Sequence, residues 1–155
     1  MSGPLRLILF DVDGTLVDSQ DDIVRAMTLS FEALGLKPPK RSDIVAIIGL
    51  SLETAVVRLM PGLAEPLYED LFIGYKYAYK GLRAHNGITL SSPLYPHARD
   101  VLQSLWARPE YLLGVATVKS RKGLDILLDE HGLRDYFVTA QCADLHPSKP
   151  HPAML

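Results

Sequence analysis

Residues 6–19 read RLILFDVDGTLVDS, a short apolar run that ends in two aspartates and a glycine. A continuous apolar run bounded by a turn signal is typical of a strand that is buried on both faces. Such strands occupy parallel sheets, and open α/β sheets bind ligands at the carboxyl ends of their strands. Side chains two positions apart in an extended segment point the same way, so Asp11 and Asp13 can face one ligand. Gly14 then allows the backbone to turn sharply away from the strand.

Two non-catalytic interpretations compete at this stretch, a calcium-binding loop and a simple polar turn. A calcium loop that begins at Asp11 needs a glycine at its sixth position and a glutamate at its twelfth. Gly14 is instead fourth and Asp22 is twelfth, so the calcium loop is rejected. The polar turn stays open on these residues alone.

Composition limits the classes of function. The chain has 155 residues and an apolar content of 48%, which suits one domain, or a small domain that carries an insertion. A net charge of −2 gives no reason to expect nucleic acid or an anionic membrane as a partner. Cys142 is the single cysteine, residues 1–6 lack the apolar core of a signal peptide, and no run reaches membrane-spanning length. We therefore expect a cytoplasmic protein with no nucleic-acid or membrane partner.

The periodicity changes from strand to helix after Thr15. Ser19 and Asp22 have the spacing of a capping box at the start of a helix. Helical spacing of apolar residues, ended by glycine or proline, predicts helices over about 19–34, 42–48, 51–60 and 65–83. Residues 18–88 are thus predicted to be entirely helical, and residues 85–93 to contain the linker that returns to the α/β part.

Strands and helices alternate in the rest of the chain. The pattern predicts a helix over 97–107, with Val101, Leu102, Leu105 and Trp106 facing inward, and a helix from Ser120 to His131. It predicts strands over 111–116 and 137–140. This alternation after a helical insertion indicates an α/β fold.

The segment FDVDGTLVDS at residues 10–19 resembles the first motif of the haloacid dehalogenase superfamily, and most of all its phosphoglycolate phosphatase-like branch. The resemblance implies a Rossmann-like parallel sheet core formed by residues 1–17 and 89–155, with residues 18–88 as an inserted helical cap. It also implies that Asp11 is a nucleophile that becomes an aspartyl phosphate. Asp13 would protonate the leaving group and then activate water, roles that carboxyl groups can perform. Mg²⁺ would be the metal cofactor, bound by Asp11 and Asp13.

Two later segments resemble further motifs of the superfamily. Thr117 at a strand end resembles the second motif, whose hydroxyl and neighbouring N–H groups hold the phosphoryl group, and a helix begins just beyond it. Lys149 resembles the third motif, and its ammonium would neutralise phosphoryl oxygens and keep Asp11 ionised. Without the resemblance, a lone surface lysine would be the favoured interpretation of Lys149. The resemblance thus implies phosphate binding by Gly14, Thr117, Val118 and Lys149. A P-loop is rejected, because Val118 occupies the position before the lysine that this motif gives to glycine.

A fourth motif, an acidic pair on a fourth strand, does not follow before Leu155. The superfamily's sheet order places the first strand between the second and the fourth, so an apolar strand would become an open edge. We expect the core to be incomplete at its C-terminus, as in a fragment or a gene product that lost its remaining part. The alternative is self-association, in which a partner copy covers the uncovered edge of the first strand.

The resemblance implies a Mg²⁺-dependent phosphatase that hydrolyses small phosphorylated metabolites, either phosphoglycolate-like compounds or sugar phosphates. These 155 residues alone are expected to show weak activity or none. A β-phosphoglucomutase-like phosphomutase and a non-catalytic interaction module are the alternatives, whereas a dehalogenase is disfavoured because Asp13 is present. Residues 49–51 fall where related caps present a substrate-facing loop, and a plain connection between helices is the competing interpretation.

Overall fold

A computed structural model describes residues 4–155, apart from the side chain of Ile88. Residues 1–3, part of the segment that argues against a signal peptide, lie outside the described residues. The strands are β1 (Arg6–Phe10), β2 (Tyr111–Thr117) and β3 (Thr139–Cys142). The helices are α1 (Gln20–Ala33), α2 (Arg41–Val45), α3 (Leu52–Leu59), α4 (Glu65–Asn86), α5 (Ile88–Ser91), α6 (Ala98–Trp106) and α7 (Arg121–Glu130). Single 3₁₀ turns occupy Arg134–Tyr136 and Pro152–Met154.

The three strands form one parallel sheet in the order β1-β2-β3, which confirms the predicted α/β class. Phe10 pairs with Val115 and Thr117 pairs with Cys142, so the carboxyl ends of all three strands lie at one edge of the sheet. Residues 113–117 of the central strand are all buried, as a continuous apolar run requires. The segment that follows β1 and the last residue of β2 therefore meet at the edge where α/β sheets bind ligands.

The prediction that β1 is buried on both faces is wrong. Leu7 is 51% exposed, and Ile8 to Phe10 are only partly buried. The physical reason is that β1 pairs with β2 alone among residues 4–155, so its outer side has no neighbouring strand. The expected open edge is present, and its side chains are mostly apolar.

Two hydrophobic clusters hold the described residues together. The first joins the sheet with α6 and α7, and its fully buried members include Leu102, Leu113, Leu124 and Leu127. The second lies within the helices α1 to α4 and includes Met27, Phe31, Ile44 and Leu71. The chain crosses from one cluster to the other at two places. At these crossings the backbone N–H of Asp18 donates to Pro93 O (2.8 Å), and the backbone N–H of Tyr95 donates to Leu16 O (3.0 Å). The assignment of residues 18–88 as a cap domain stays a prediction.

Only part of the predicted inward face of α6 is buried. Leu102 is fully buried, but Val101 and Trp106 are 47% and 59% exposed. Val101 lines an open cleft of about 230 Å³ beside Phe10 of β1, because no further element covers the outer side of that strand. Trp106 instead packs edge-on against Tyr136, with ring centroids 5.9 Å apart.

Three further boundaries differ from the prediction. The third strand begins at Thr139 rather than at residue 137, and α5 lies within the predicted linker. Helix α4 continues to Asn86, beyond the predicted end at Arg83. Within residues 4–155, none of the helices combines the length and the apolar character needed to cross a membrane.

Candidate active site

Asp11 directly follows β1 and contacts Lys149. The Nζ atom of Lys149 lies 3.0 Å from Asp11 Oδ1, and the backbone N–H of Val12 donates to the same oxygen at 2.8 Å. Asp11 Oδ2 has no hydrogen-bond partner among residues 4–155. The carboxylate is thus oriented through one of its two oxygens.

Asp13 is buried and pairs with a different lysine. Lys119 Nζ lies 3.0 Å from Asp13 Oδ1, and each of these side chains is only 8% exposed. The hydroxyl of Ser19 also donates to Asp13 Oδ1. The predicted capping box is therefore wrong, since Ser19 makes no side-chain cap bond, and its φ of −105° and ψ of 10° lie outside the extended region that caps adopt.

Lys119 was not predicted as a site residue. Its ammonium also lies 3.3 Å from the hydroxyl of Tyr79 on α4. Burial acts to lower the pKa of Lys119, but the attraction of Asp13 and of Tyr79 outweighs it, so the pKa lies above its ordinary value. The sequence signal that could have found Lys119 is a lysine directly after the end of a buried strand, at the same sheet edge as Asp13.

The other predicted phosphate ligands lie at the ends of β1 and β2: Gly14 in the turn after β1, Thr117 as the last residue of β2, and Val118 directly after it. Thr117 is fully buried, and its hydroxyl oxygen accepts a hydrogen bond from the backbone N–H of Lys119 at 3.2 Å. Val118, between these two residues, is half-buried. Gly14 has a φ of +79°, which favours glycine, and its N–H donates to Val17 O at 3.0 Å. Among the described residues, none of Gly14, Thr117 and Val118 shares a hydrogen bond with Asp11. The structure thus joins Lys149 to Asp11 directly and places the other three at the same sheet edge.

The loop after α2 approaches Asp11. A Cβ atom placed on Gly49, whose φ is +97°, would lie 3.8 Å from Asp11 Oδ2. Beside this loop is a cleft of about 420 Å³, lined by residues 48–50, by residues 149–152 and by Met154 and Leu155. The loop therefore lies close to Asp11 Oδ2, and its role as a substrate-facing loop stays a prediction.

Residues 8–155 match the model of the family described as haloacid dehalogenase-like hydrolase. The chain belongs to the haloacid dehalogenase-like hydrolases. Over 153 residues this haloacid dehalogenase-like hydrolase is 34% identical to a phosphoglycolate phosphatase of Nitrosococcus oceani, an alignment that covers 97% of this chain and 67% of that relative.

Solved structures agree with this family. A predicted phosphoglycolate phosphatase from Haemophilus somnus has a TM-score of 0.80 at 25% identity, with 96% of this chain and 67% of that one covered. A haloacid dehalogenase-like family protein from Streptococcus pneumoniae has a TM-score of 0.76 at 27% identity, with 95% and 64% covered. The chain thus spans about two thirds of the length of these relatives. The family and fold that residues 10–19 predicted are confirmed.

The carboxylates of this haloacid dehalogenase-like hydrolase fit a weakly held Mg²⁺. Within residues 4–155, no three His, Cys, Asp or Glu side chains form a metal-binding group. Asp11 and Asp13 each keep one carboxylate oxygen, Oδ2, that accepts no hydrogen bond from the described residues. Mg²⁺ commonly binds one or two carboxylates and completes its shell with water and substrate oxygens. These two residues therefore suit the metal that the resemblance implies.

Proposed function

We propose that this chain is a Mg²⁺-dependent phosphatase that hydrolyses small phosphomonoesters, phosphoglycolate-like or sugar phosphates, through an aspartyl phosphate on Asp11. The observation that carries the proposal is the geometry of Asp11, with Oδ1 held by Lys149 and Oδ2 close to the Gly49 loop. Residues 1–17 and 89–155 form the catalytic core in this proposal, and residues 18–88 form the cap. The single cysteine supports a cytoplasmic setting.

In the first step, the Asp11 carboxylate attacks the phosphorus, and the bond to the ester oxygen breaks. Asp13 gives its proton to that oxygen, so the product leaves as an alcohol. Lys149 faces the phosphoryl oxygens while it holds Asp11 in line, and the turn at Thr117 and Val118, with Gly14, offers further donors. Mg²⁺, when bound by Asp11 and Asp13, neutralises negative charge on the phosphoryl oxygens.

In the second step, Asp13 takes a proton from a water molecule, and the resulting hydroxide attacks the phosphorus. Phosphate leaves and the Asp11 carboxylate is restored. Lys119 and Ser19 both contact Asp13 Oδ1 and hold its carboxyl group in a fixed direction in this step. Residues 18–88, the proposed helical cap, exclude bulk water from the aspartyl phosphate.

A phosphate-release assay tests the proposal. The chain is incubated with phosphoglycolate and with sugar phosphates, with and without Mg²⁺, and Asp11→Asn is the matched control because it keeps the shape and removes the nucleophile. We expect weak Mg²⁺-dependent release from these 155 residues, which Asp11→Asn abolishes. We also expect a higher melting temperature with beryllium fluoride and Mg²⁺, because this fluoride mimics a phosphoryl group on Asp11. A chain that neither releases phosphate nor responds to beryllium fluoride would support the non-catalytic alternative.

We also propose that two copies of the chain associate through the outer edge of β1. Leu5 and Leu7 are exposed there, and β1 has no strand partner on that side among the described residues. An apolar strand edge with unpaired backbone groups favours pairing with another chain.

A further inference from the structure

A series of contacts connects helix α4 to Asp13, the proposed proton donor. Tyr79 on α4 places its hydroxyl 3.3 Å from Lys119 Nζ, and the same ammonium lies 3.0 Å from Asp13 Oδ1. The ammonium lies at the hydroxyl edge of the Tyr79 ring, 5.5 Å from the ring centre. Asp13 is thus connected to α4 through one buried lysine.

Tyr79 is itself held in place. Its ring stacks on that of Tyr75, with centroids 5.7 Å apart, and the guanidinium of Arg83 lies 5.4 Å from its centre. All three residues lie on α4 at helical spacing, so their positions move together with the helix. At the other end, the backbone N–H of Lys119 is bound by the Thr117 hydroxyl, which fixes the turn.

Stability alone does not account for a lysine at this position. A buried ion pair can often be replaced by apolar residues without loss of stability, because desolvation offsets its attraction. Lys119 and Asp13 nevertheless form such a pair at the edge of the sheet where the proposed chemistry occurs. An ion pair with a directed hydrogen bond does fix the orientation of a carboxylate, which apolar packing cannot do.

We propose that Lys119 is a positioning residue for Asp13 and that Tyr79 holds Lys119, so that α4 must lie against the sheet edge for proton transfer to the leaving group. When α4 moves away, Lys119 loses the Tyr79 hydroxyl, and water replaces it. Asp13 then keeps the Ser19 hydroxyl but loses the fixed ammonium, so the direction of its carboxyl group is set less strictly. The role of Lys119 in proton transfer rests on the proposed function. The geometric part, that Tyr79 holds Lys119, can be tested without turnover.

Amine labelling tests the geometric part. The native chain is treated with an acetylating N-hydroxysuccinimide ester, and the modification of each lysine is followed by mass spectrometry. Lys119 should react at least about tenfold more slowly than the exposed Lys122, because it reacts only from open states. Tyr79→Phe should raise the rate at Lys119 several-fold, and Tyr77→Phe, at an 82%-exposed position on the same helix, should not. Equal rates at Lys119 and Lys122 in the unsubstituted chain, or no effect of Tyr79→Phe, would overturn the inference.

The role in proton transfer is tested by comparing the activity on substrates with different leaving groups. An alkyl phosphate needs protonation of its leaving oxygen, whereas p-nitrophenyl phosphate barely does. Lys119→Met should lower kcat/KM, which reports the steps up to release of the alcohol, about 10²-fold for the alkyl phosphate, within the range for loss of acid–base catalysis, and far less for the aryl ester. Tyr79→Phe should shift the same ratio to a smaller extent, and Tyr77→Phe should leave it unchanged.

The two assays separate the possible failures. Equal losses of kcat/KM on both substrates in Tyr79→Phe would show that the contact does not act through protonation of the leaving group and would overturn the inference. Absence of phosphate release from the unsubstituted chain would contradict the proposed function, while the labelling rates would still decide whether Tyr79 holds Lys119.

Discussion

Lys149 Nζ lies 3.0 Å from Asp11 Oδ1, although the two residues belong to opposite ends of the chain. Asp11 follows the first strand, and Lys149 lies in the segment that follows the third. Because all three strands are parallel, each ends at the same edge of the sheet, and the segment after β3 can reach the segment after β1. The sheet topology therefore creates the ion pair that orients the proposed nucleophile.

Lys149→Met should remove most of the activity. The substitution keeps the length of the side chain but removes the cation beside Asp11 and the phosphoryl group, so we expect kcat to fall by about 10²-fold or more. Both partners are partly exposed, so the free energy of unfolding should change by only about 0–1 kcal/mol. Lys122→Met on α7 is the matched control and should alter neither quantity. A Lys149→Met chain that keeps normal activity would contradict the role of Lys149.

Gly49→Ala should affect both stability and substrate binding. The φ of +97° is unfavourable for residues with a Cβ, and we expect a loss of about 1–2 kcal/mol in the free energy of unfolding. The new methyl group would lie 3.8 Å from Asp11 Oδ2 and narrow the space for a phosphoryl group, so KM should rise. Gly81→Ala is the control, since this exposed helical glycine has no neighbour within 4 Å and should gain about 0.5–1 kcal/mol. Urea unfolding and steady-state kinetics measure the two effects, and an unchanged KM would show that the loop does not face the substrate.

Residues at strand ends could be predicted from the sequence, because a buried apolar strand reveals where it stops. This reasoning placed Asp11, Asp13 and Thr117 at one sheet edge. Lys119 and Tyr79 were missed because their contact joins distant segments and depends on how α4 lies on the sheet. Ser19 was assigned to a helix cap, since local spacing cannot show that a buried carboxylate takes its hydroxyl instead.

The burial of β1 could not be predicted for a related reason. An apolar pattern reports which side chains favour burial, but the burial itself depends on a neighbouring strand. Leu7 and Leu113 both belong to apolar strand patterns, yet Leu7 is half exposed and Leu113 is buried. Their difference comes from the position of each strand in the sheet, which is a property of the whole topology.

Gly114→Ala should destabilise the centre of the sheet. A Cβ there would lie 2.6 Å from Leu9 Cδ2 and 2.7 Å from Thr139 Cγ2, so both side chains would have to shift. Such overpacking costs about 1–3 kcal/mol in the free energy of unfolding. Thr139→Ser removes one of the clashing methyl groups, and the Gly114→Ala, Thr139→Ser double variant should regain part of the loss. Urea unfolding of the three variants checks this, and additive losses would contradict the packing argument.

Arg134 should stabilise the fold only where its partners are ionised. Its guanidinium bonds Asp129 at 2.6 Å and Asp125 at 3.1 Å. The Arg134 hydrogen bonds hold the pKa of Asp129 below its ordinary value, and those of Arg121 and then Arg134 do the same for the pKa of Asp125. A lowered carboxyl pKa gives stability that is present above the unfolded pKa, about 3.9, and is lost as pH falls through the folded pKa.

We therefore expect Arg134→Met to have a smaller free energy of unfolding than the unsubstituted chain at pH 7. This gap in the free energy of unfolding should close as the pH is lowered below about 4. Added salt should also narrow it, because the groups are exposed. Lys122→Met, which removes the same charge elsewhere on this side of the molecule, serves as the control. A gap that stays constant from pH 7 to pH 3 would mean that Arg134 acts through packing and not through its ion pairs.

Leu7→Lys should disrupt self-association. The side chain of Leu7 is exposed at the unpaired edge of β1, and a lysine on an edge strand disfavours pairing with a second chain. At micromolar concentration we expect the unsubstituted chain to show a dimer by mass photometry or light scattering, and Leu7→Lys to shift it to the monomer. Ile73→Lys is the matched control, because Ile73 is an exposed apolar residue on α4 rather than on the sheet edge. A monomeric unsubstituted chain, or equal effects of the two lysine variants, would show that the β1 edge is not the contact surface.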